Sequence, residues 1–179
     1  MGDELDLDLS LESGEFGDPA PVPRQSETER AIDLAYKAVA RRERTVAELR
    51  TALERRRVEP AAIEAAVEEL SAGGFLDDAR YALRFAEDKR ELAQWGSERI
   101  ARELTRRGIA ADLIDAALCD RSEQAELDTA ITLLEQRFPA PPADDRERDR
   151  AWQLLVRRGY APELAYEAVR ALGRRSRAA

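Results

Sequence analysis

The segment Leu104–Ile109 reads "LTRRGI", Leu155–Tyr160 reads "LVRRGY" and Leu53–Val58 reads "LERRRV". The three copies are equally spaced at 51 residues. A period in this range marks a helical repeat array, in which one small unit stacks on the next. Around the copies, apolar residues recur at intervals of three and four and β-branched runs are few, so the chain from Glu27 onward reads as helix. Nine helices are predicted, near 27–42, 46–57, 61–72, 78–92, 97–107, 112–119, 122–138, 146–158 and 162–172. Nine helices in three periods make three units of three helices. The predicted fold is therefore all-α, with units at 27–76, 77–121 and 122–179 behind a tail at 1–26.

The second and third helices of each unit align best. Leu53, Leu104 and Leu155 share one register, Val58, Ile109 and Tyr160 a second, and Ala66, Ala117 and Ala168 a third. In the first unit Ile63, Ala66, Val67 and Leu70 fall at i, i+3, i+4 and i+7, one face of a helix and hence its core side. Ile32, Leu83 and Leu134 suggest that the first helices keep the same register. Helix starts are written in local chemistry. Thr45 with Glu48 fits a capping box, Pro60 and Pro162 suit a first turn, and Asp77 or Asp78 and Ser97 stand where caps belong. "FPAPPADD", Phe138–Asp145, is the loop between the first two helices of unit three.

The triplet Arg-Arg-Gly has a structural reading. Glycine past the last turn takes the left-handed conformation without steric cost, and the next apolar residue packs back on the helix. Gly108 with Ile109 and Gly159 with Tyr160 fit this; unit one has Arg57 at the glycine position, so its helix either bears a strained residue or ends differently. The arginines before the glycine sit where cations favour the helix dipole, by roughly 0.3–1 kcal/mol each. Stacked in the same sense, three units would set Arg55 and Arg56, Arg106 and Arg107, and Arg157 and Arg158 along one side of the array. Such a ladder either faces a polyanion or is a solvated face balanced by nearby acids.

The net charge of −8 is concentrated. Residues 1–29 hold nine acids (Asp3, Glu4, Asp6, Asp8, Glu12, Glu15, Asp18, Glu27 and Glu29) against Arg24 alone, so the rest of the chain is neutral and densely charged. The first residues alternate acids with Leu5, Leu7, Leu9 and Leu11 and then meet Pro19, Pro21 and Pro23. This composition reads as a disordered acidic tail, with a short strand docked on a partner as the alternative.

Histidine is absent, which removes the commonest general base and the usual transition-metal ligand. Cys119, the single cysteine, ends a helix in "AALCD" with no histidine to activate it, and one thiol makes no internal disulfide. No phosphate loop or dinucleotide fingerprint occurs. Asp77 and Asp78 diverge by about 100° on a helix, which suits capping better than a shared metal. Trp95 and Trp152 lie in apolar helical patterns and read as buried rather than as base-stacking platforms. Neither an enzyme nor a bound cofactor or metal is expected. No apolar run approaches a membrane span and no export signal is seen, so a soluble cytoplasmic protein is expected.

The run Gly73–Ile109, "GGFLDDARYALRFAEDKRELAQWGSERIARELTRRGI", resembles the central signature of the RecX regulatory proteins, which modulate the RecA recombinase. Gly74, Phe75, Leu76, Asp77, Asp78 and Tyr81 carry one motif; Gly96, Arg99, Ile100, Leu104 and Gly108 carry the other. The likeness extends more weakly through "LVRRGYAPELAYEAV" and back to about Glu27, leaving the acidic tail outside it. It implies three tandem three-helix repeats in an elongated, curved array. It further implies a non-enzymatic monomer that binds RecA filaments on single-stranded DNA, blocks their extension or promotes their loss, and restrains strand exchange, ATP hydrolysis and self-cleavage of the SOS repressor. Candidate contacts are the six ladder arginines with Arg99 and Arg102. Because the body is neutral, protein contact should dominate, with single-stranded DNA met mainly through the filament. A free-standing helical DNA-binding protein is the competing expectation.

Overall fold

The computed structural model describes residues 26–119, 121–138 and 140–178, with side chains as far as Arg174, so the acidic tail up to Gln25 lies outside the described residues. Among the described residues the chain forms nine α-helices and no strand: α1 (Glu27–Arg41), α2 (Val46–Glu54), α3 (Pro60–Ala72), α4 (Asp78–Ala93), α5 (Ser97–Arg106), α6 (Ala111–Cys119), α7 (Glu123–Arg137), α8 (Asp145–Arg158) and α9 (Pro162–Ala178). In each unit the first helix packs on the third and the second closes the side: α1 on α3, α4 on α6, α7 on α9. Alanine makes the close approach possible. Ala31 and Ala35 of α1, Ala82 and Ala86 of α4, and Ala130 of α7 are fully buried, against Ala66, Ala117 and Ala168 of the third helices. Buried side chains gather in one apolar cluster per unit, around Leu49, Leu53 and Leu70, around Phe85, Ile100 and Leu104, and around Leu134, Leu155 and Tyr160.

All three second helices end alike. Val58, Ile109 and Tyr160 donate their amides back to the carbonyls of Leu53, Leu104 and Leu155, at 3.3, 3.1 and 3.1 Å. This is the bond that closes a Schellman motif, and the residue before it must turn left-handed. Gly108 and Gly159 do so at φ of 78° and 87°, and Arg57 does so at 58° with a side chain to carry. The helix-ending reading of the triplet therefore holds in all three units, strained in the first.

Four local expectations are corrected. Thr45 caps α2 through Glu48 N–H, but the Glu48 carboxylate does not complete a box; it turns to Arg42 and Arg107 instead. The complete box is Ser26 with Glu29 at the start of α1, so Ser26 belongs to the helix and not to the tail. Ser97 is no cap: Gly96 holds that position and Ser97 opens α5. Leu134 is not the counterpart of Ile32 and Leu83, since Leu134 is fully buried while Leu83 is 44% exposed. The core positions of α7, Ala130 and Leu134, follow Ala82 and Ala86 at an interval of 48, so the first helix of unit three has slid by three residues. The long loop before α8, entered at Phe138 and left through the Asp144 cap, restores the phase.

Candidate binding surface at the unit junctions

Successive units meet where the second helices run head to tail. The last carbonyls of α5 arrive at the start of α2, and those of α8 at the start of α5. Thr45 Oγ1 donates to Arg107 O at 2.8 Å in the first junction; Gly96 N donates to Arg158 O at 3.0 Å and Glu98 N to Gly159 O at 3.1 Å in the second. The last carbonyls of one helix thus accept from the start of the next, from a capping hydroxyl in the first junction and from backbone N–H groups in the second, the favourable sense for both dipoles.

A carboxylate from the next unit's first helix completes each start. Asp78 Oδ1 accepts from Val46 N–H at 3.0 Å, and Glu126 accepts from both Ser97 N–H and Ser97 Oγ, at 2.8 and 2.9 Å. Burial pushes the Asp78 carboxyl above its ordinary range, against the pull of the Val46 amide. Tyr160, fully buried behind the second junction with its hydroxyl donated to Gln94 O, is pushed up to about 12 by burial.

The glycines of the triplet have a second task here. A Cβ on Gly108 would stand 2.4 Å from Ala47 Cβ, and one on Gly159 would stand 2.2 Å from Arg99 Cβ and 2.5 Å from its backbone nitrogen. Among the described residues no second helix stands before α2 as α2 stands before α5 and α5 before α8, and Arg57 is exposed. A side chain is accommodated there, whereas at the other two positions it would meet Ala47 or Arg99.

The paired arginines divide. The second member turns inward in units two and three. Arg107 is part-buried, bridges Glu48 and Glu103 at 3.1 Å each, donates to Tyr81 Oη at 2.7 Å and lies 5.1 Å over the Phe85 ring. Arg158 is half-buried and donates to Ala93 O. The first member, Arg55, Arg106 or Arg157, is exposed at a cleft beside a junction. One cleft is lined by Arg42, Arg44, Arg55, Arg106 and Arg107 around Glu48. The other is lined by Arg99, Arg102, Arg106 and Arg157 with Trp95 and Glu103. Arg106 borders both clefts, so the eight arginines that line them form one strip, six of them among the eight candidates of the sequence. Arg56 is exposed just outside it.

Carboxylates neutralise only part of that strip. Arg106 pairs with Glu103 at 2.6 Å, Arg102 with Glu98 at 3.5 Å and Arg42 with Glu48 at 2.9 Å. Among the described residues Arg55, Arg56, Arg99 and Arg157 have no carboxylate partner within ion-pair distance. Arg99 lies 4.0 Å over the half-buried Trp95 ring and donates to Arg157 O. Burial, followed by the neighbouring charge of Arg42, holds Arg44 below its usual value. Arg42 and Arg44 escaped the sequence reading because they stand outside the repeated triplet; their signal was the run "RRERT" at 41–45.

Trp152 is half-buried and donates its indole N–H to Pro162 O, so each tryptophan is partly sheltered. Cys119 is exposed, with its thiol donated to Ala116 O. Among the described residues no group of three or more His, Cys, Asp or Glu is placed to hold a metal, and no helix is long and apolar enough to cross a membrane.

Three-helix units joined through the starts and ends of their second helices define a class of tandem helical repeat proteins. Family models for the first and second three-helix domains of RecX match residues 31–70 and 77–118. The regulatory protein RecX of Halorhodospira halophila is 40% identical over 140 residues, covering 76% of this chain and 84% of that one. That of Deinococcus radiodurans is 35% identical over 150 residues, covering 84% and 72%. The crystal structure of RecX from Lactobacillus salivarius superposes with a TM-score of 0.74 over 82% of this chain and 97% of that one, at 17% identity, a likeness of fold alone. The chain belongs to the RecX family of regulatory proteins.

Proposed function

We propose that this chain is a non-enzymatic negative regulator of the RecA recombinase. It binds the filament on single-stranded DNA, blocks extension or promotes disassembly, and thereby lowers strand exchange, ATP hydrolysis and SOS co-protease activity. It acts in the cytoplasm as a monomer, with no cofactor. Family membership supports the partner; the observation that carries the contact is the arginine strip, where Arg55, Arg99 and Arg157 stand without carboxylates beside two junctions. Arg55, Arg56, Arg99, Arg102, Arg106 and Arg157 are assigned to acidic filament surface or exposed phosphate. Arg107 and Arg158 serve the same contact by fixing the junctions that space the others. The units at 27–76, 77–121 and 122–179 would then meet successive recombinase subunits.

The test adds the full chain to RecA on single-stranded DNA and follows ATP hydrolysis and filament length. Both should fall at ratios well below one per RecA subunit, and Arg55→Glu with Arg106→Glu should weaken the effect at least tenfold. Unchanged hydrolysis and length would remove the regulator reading. The unpaired arginines also favour a second reading, direct DNA binding. In that case affinity for bare DNA would fall steeply with salt, as several phosphate contacts require, with no added effect on assembled filaments.

A further inference from the structure

The arginine strip is a local positive surface on a body whose acids and bases balance, and most of the chain's surplus negative charge is in one place. Residues 1–25 carry Asp3, Glu4, Asp6, Asp8, Glu12, Glu15 and Asp18 against Arg24 alone. We infer that the acidic segment Asp3–Asp18 docks along the strip from Arg42, Arg44 and Arg55 across Arg106 toward Arg99, Arg102 and Arg157, as an intramolecular occupant of the surface that meets the partner.

Reach, charge and shape support this occupant. The described chain begins at Ser26, the cap of α1, and Arg42 directly follows the other end of that helix. Fifteen helical residues rise roughly 22 Å. Pro19–Gln25, the seven residues between the last acid and Ser26, extend to about 24 Å. The spacer is therefore long enough to return along α1 and deliver Asp18 to Arg42. The sixteen residues Asp3–Asp18 extend to about 55 Å more, enough to follow the strip past both junctions. Carboxylates match arginine forks bidentately, and tethering makes the contact intramolecular, so it needs no high intrinsic affinity. The alternation of Leu5, Leu7, Leu9 and Leu11 with acids also gives an extended segment one charged and one apolar edge. The half-buried Trp95 ring lies in the second cleft to receive the apolar edge. The consequence is regulation by competition: a strong polyanionic partner displaces the segment, while weak or non-specific anions do not.

The inference rests on the arginine strip being the contact surface, and its test needs no recombinase. A bimane fluorophore is attached to the full-length Ser10→Cys, Cys119→Ser protein, and its quenching by tryptophan at contact range is followed. Quenching is expected at about 0.05 M salt, and severalfold relief at about 0.5 M, where screening shortens to a few ångström. Arg55→Glu with Arg106→Glu should relieve it at low salt, and Trp95→Phe should abolish it. Fluorescence insensitive to salt and to the arginine reversals overturns the docking, whatever the filament assay reports. Quenching that survives Trp95→Phe places the segment elsewhere and overturns it equally. Helical circular dichroism of each variant distinguishes a lost contact from a lost fold, and the salt titration of the protein without those reversals decides the matter if a variant unfolds.

Discussion

At residue 57 the repeat breaks its own rule, and the break has a measurable cost. Arg57 holds φ of 58° at the position that Gly108 and Gly159 fill without strain. A left-handed conformation costs a non-glycine residue roughly 1–2 kcal/mol. Part of that is offset because glycine is freer in the unfolded chain. Arg57→Gly should therefore raise stability by about 0.5–1 kcal/mol, read as a higher urea midpoint at unchanged slope. A lower midpoint would mean that the exposed Arg57 side chain makes a stabilising contact. The same scale explains why the arginine pairs were only half legible. Adjacent residues on a helix point about 100° apart, so a pair cannot serve one surface. From the sequence the pair reads as two cations; the structure has Arg107 bound to Glu48, Glu103 and Tyr81 and leaves Arg106 outward.

At the scale of elements, the second and third helices were readable because they keep the 51-residue phase. The caps between units were not, because Asp78 and Glu126 stand 48 apart. An alignment at the main period is blind to a contact carried by a helix that has slid. Asp78 gives this contact a pH signature. Its folded pKa lies above the ordinary 3.8 because burial disfavours the carboxylate. The stability it contributes is then fully present below 3.8 and lost as pH rises through its higher folded value. Asp78→Asn keeps an oxygen for Val46 N–H and removes the charge. Its melting temperature should exceed that of the parent at pH 7, and the difference should shrink as pH falls toward 3.8. A difference independent of pH would show that the charge itself is not the burden. Glu103, held low chiefly by its hydrogen bond from Arg106, titrates in both proteins and cancels in the comparison.

Across the whole molecule, units joined in series pass a lesion to their neighbours and no further. Stability in such arrays is close to a sum of unit and nearest-neighbour terms. The fold is legible at this scale because each unit repeats one helical pattern. The proposed contact surface is less so, because the arginine strip arises only where two units abut and draws Arg42, Arg44 and Arg99 from outside the triplet. Gly159 is the position that tests the series. A methyl group there would stand 2.2–2.8 Å from the Cβ, backbone nitrogen and Cα of Arg99, and φ of 87° disfavours any side chain besides. Gly159→Ala must therefore separate α8 from α5 or unwind one of them. Amide hydrogen exchange should quicken at Gly96 and Glu98, whose N–H groups bond to Arg158 O and Gly159 O, and along the ends of the two helices. Protection of Ile63, Ala66 and Leu70 in α3 should stay as in the parent, because the intact junction of the first two units lies between. If protection is lost evenly through α1–α9, the three units are one cooperative body, and the spacing of the arginine strip is fixed by the whole array rather than by each junction in turn.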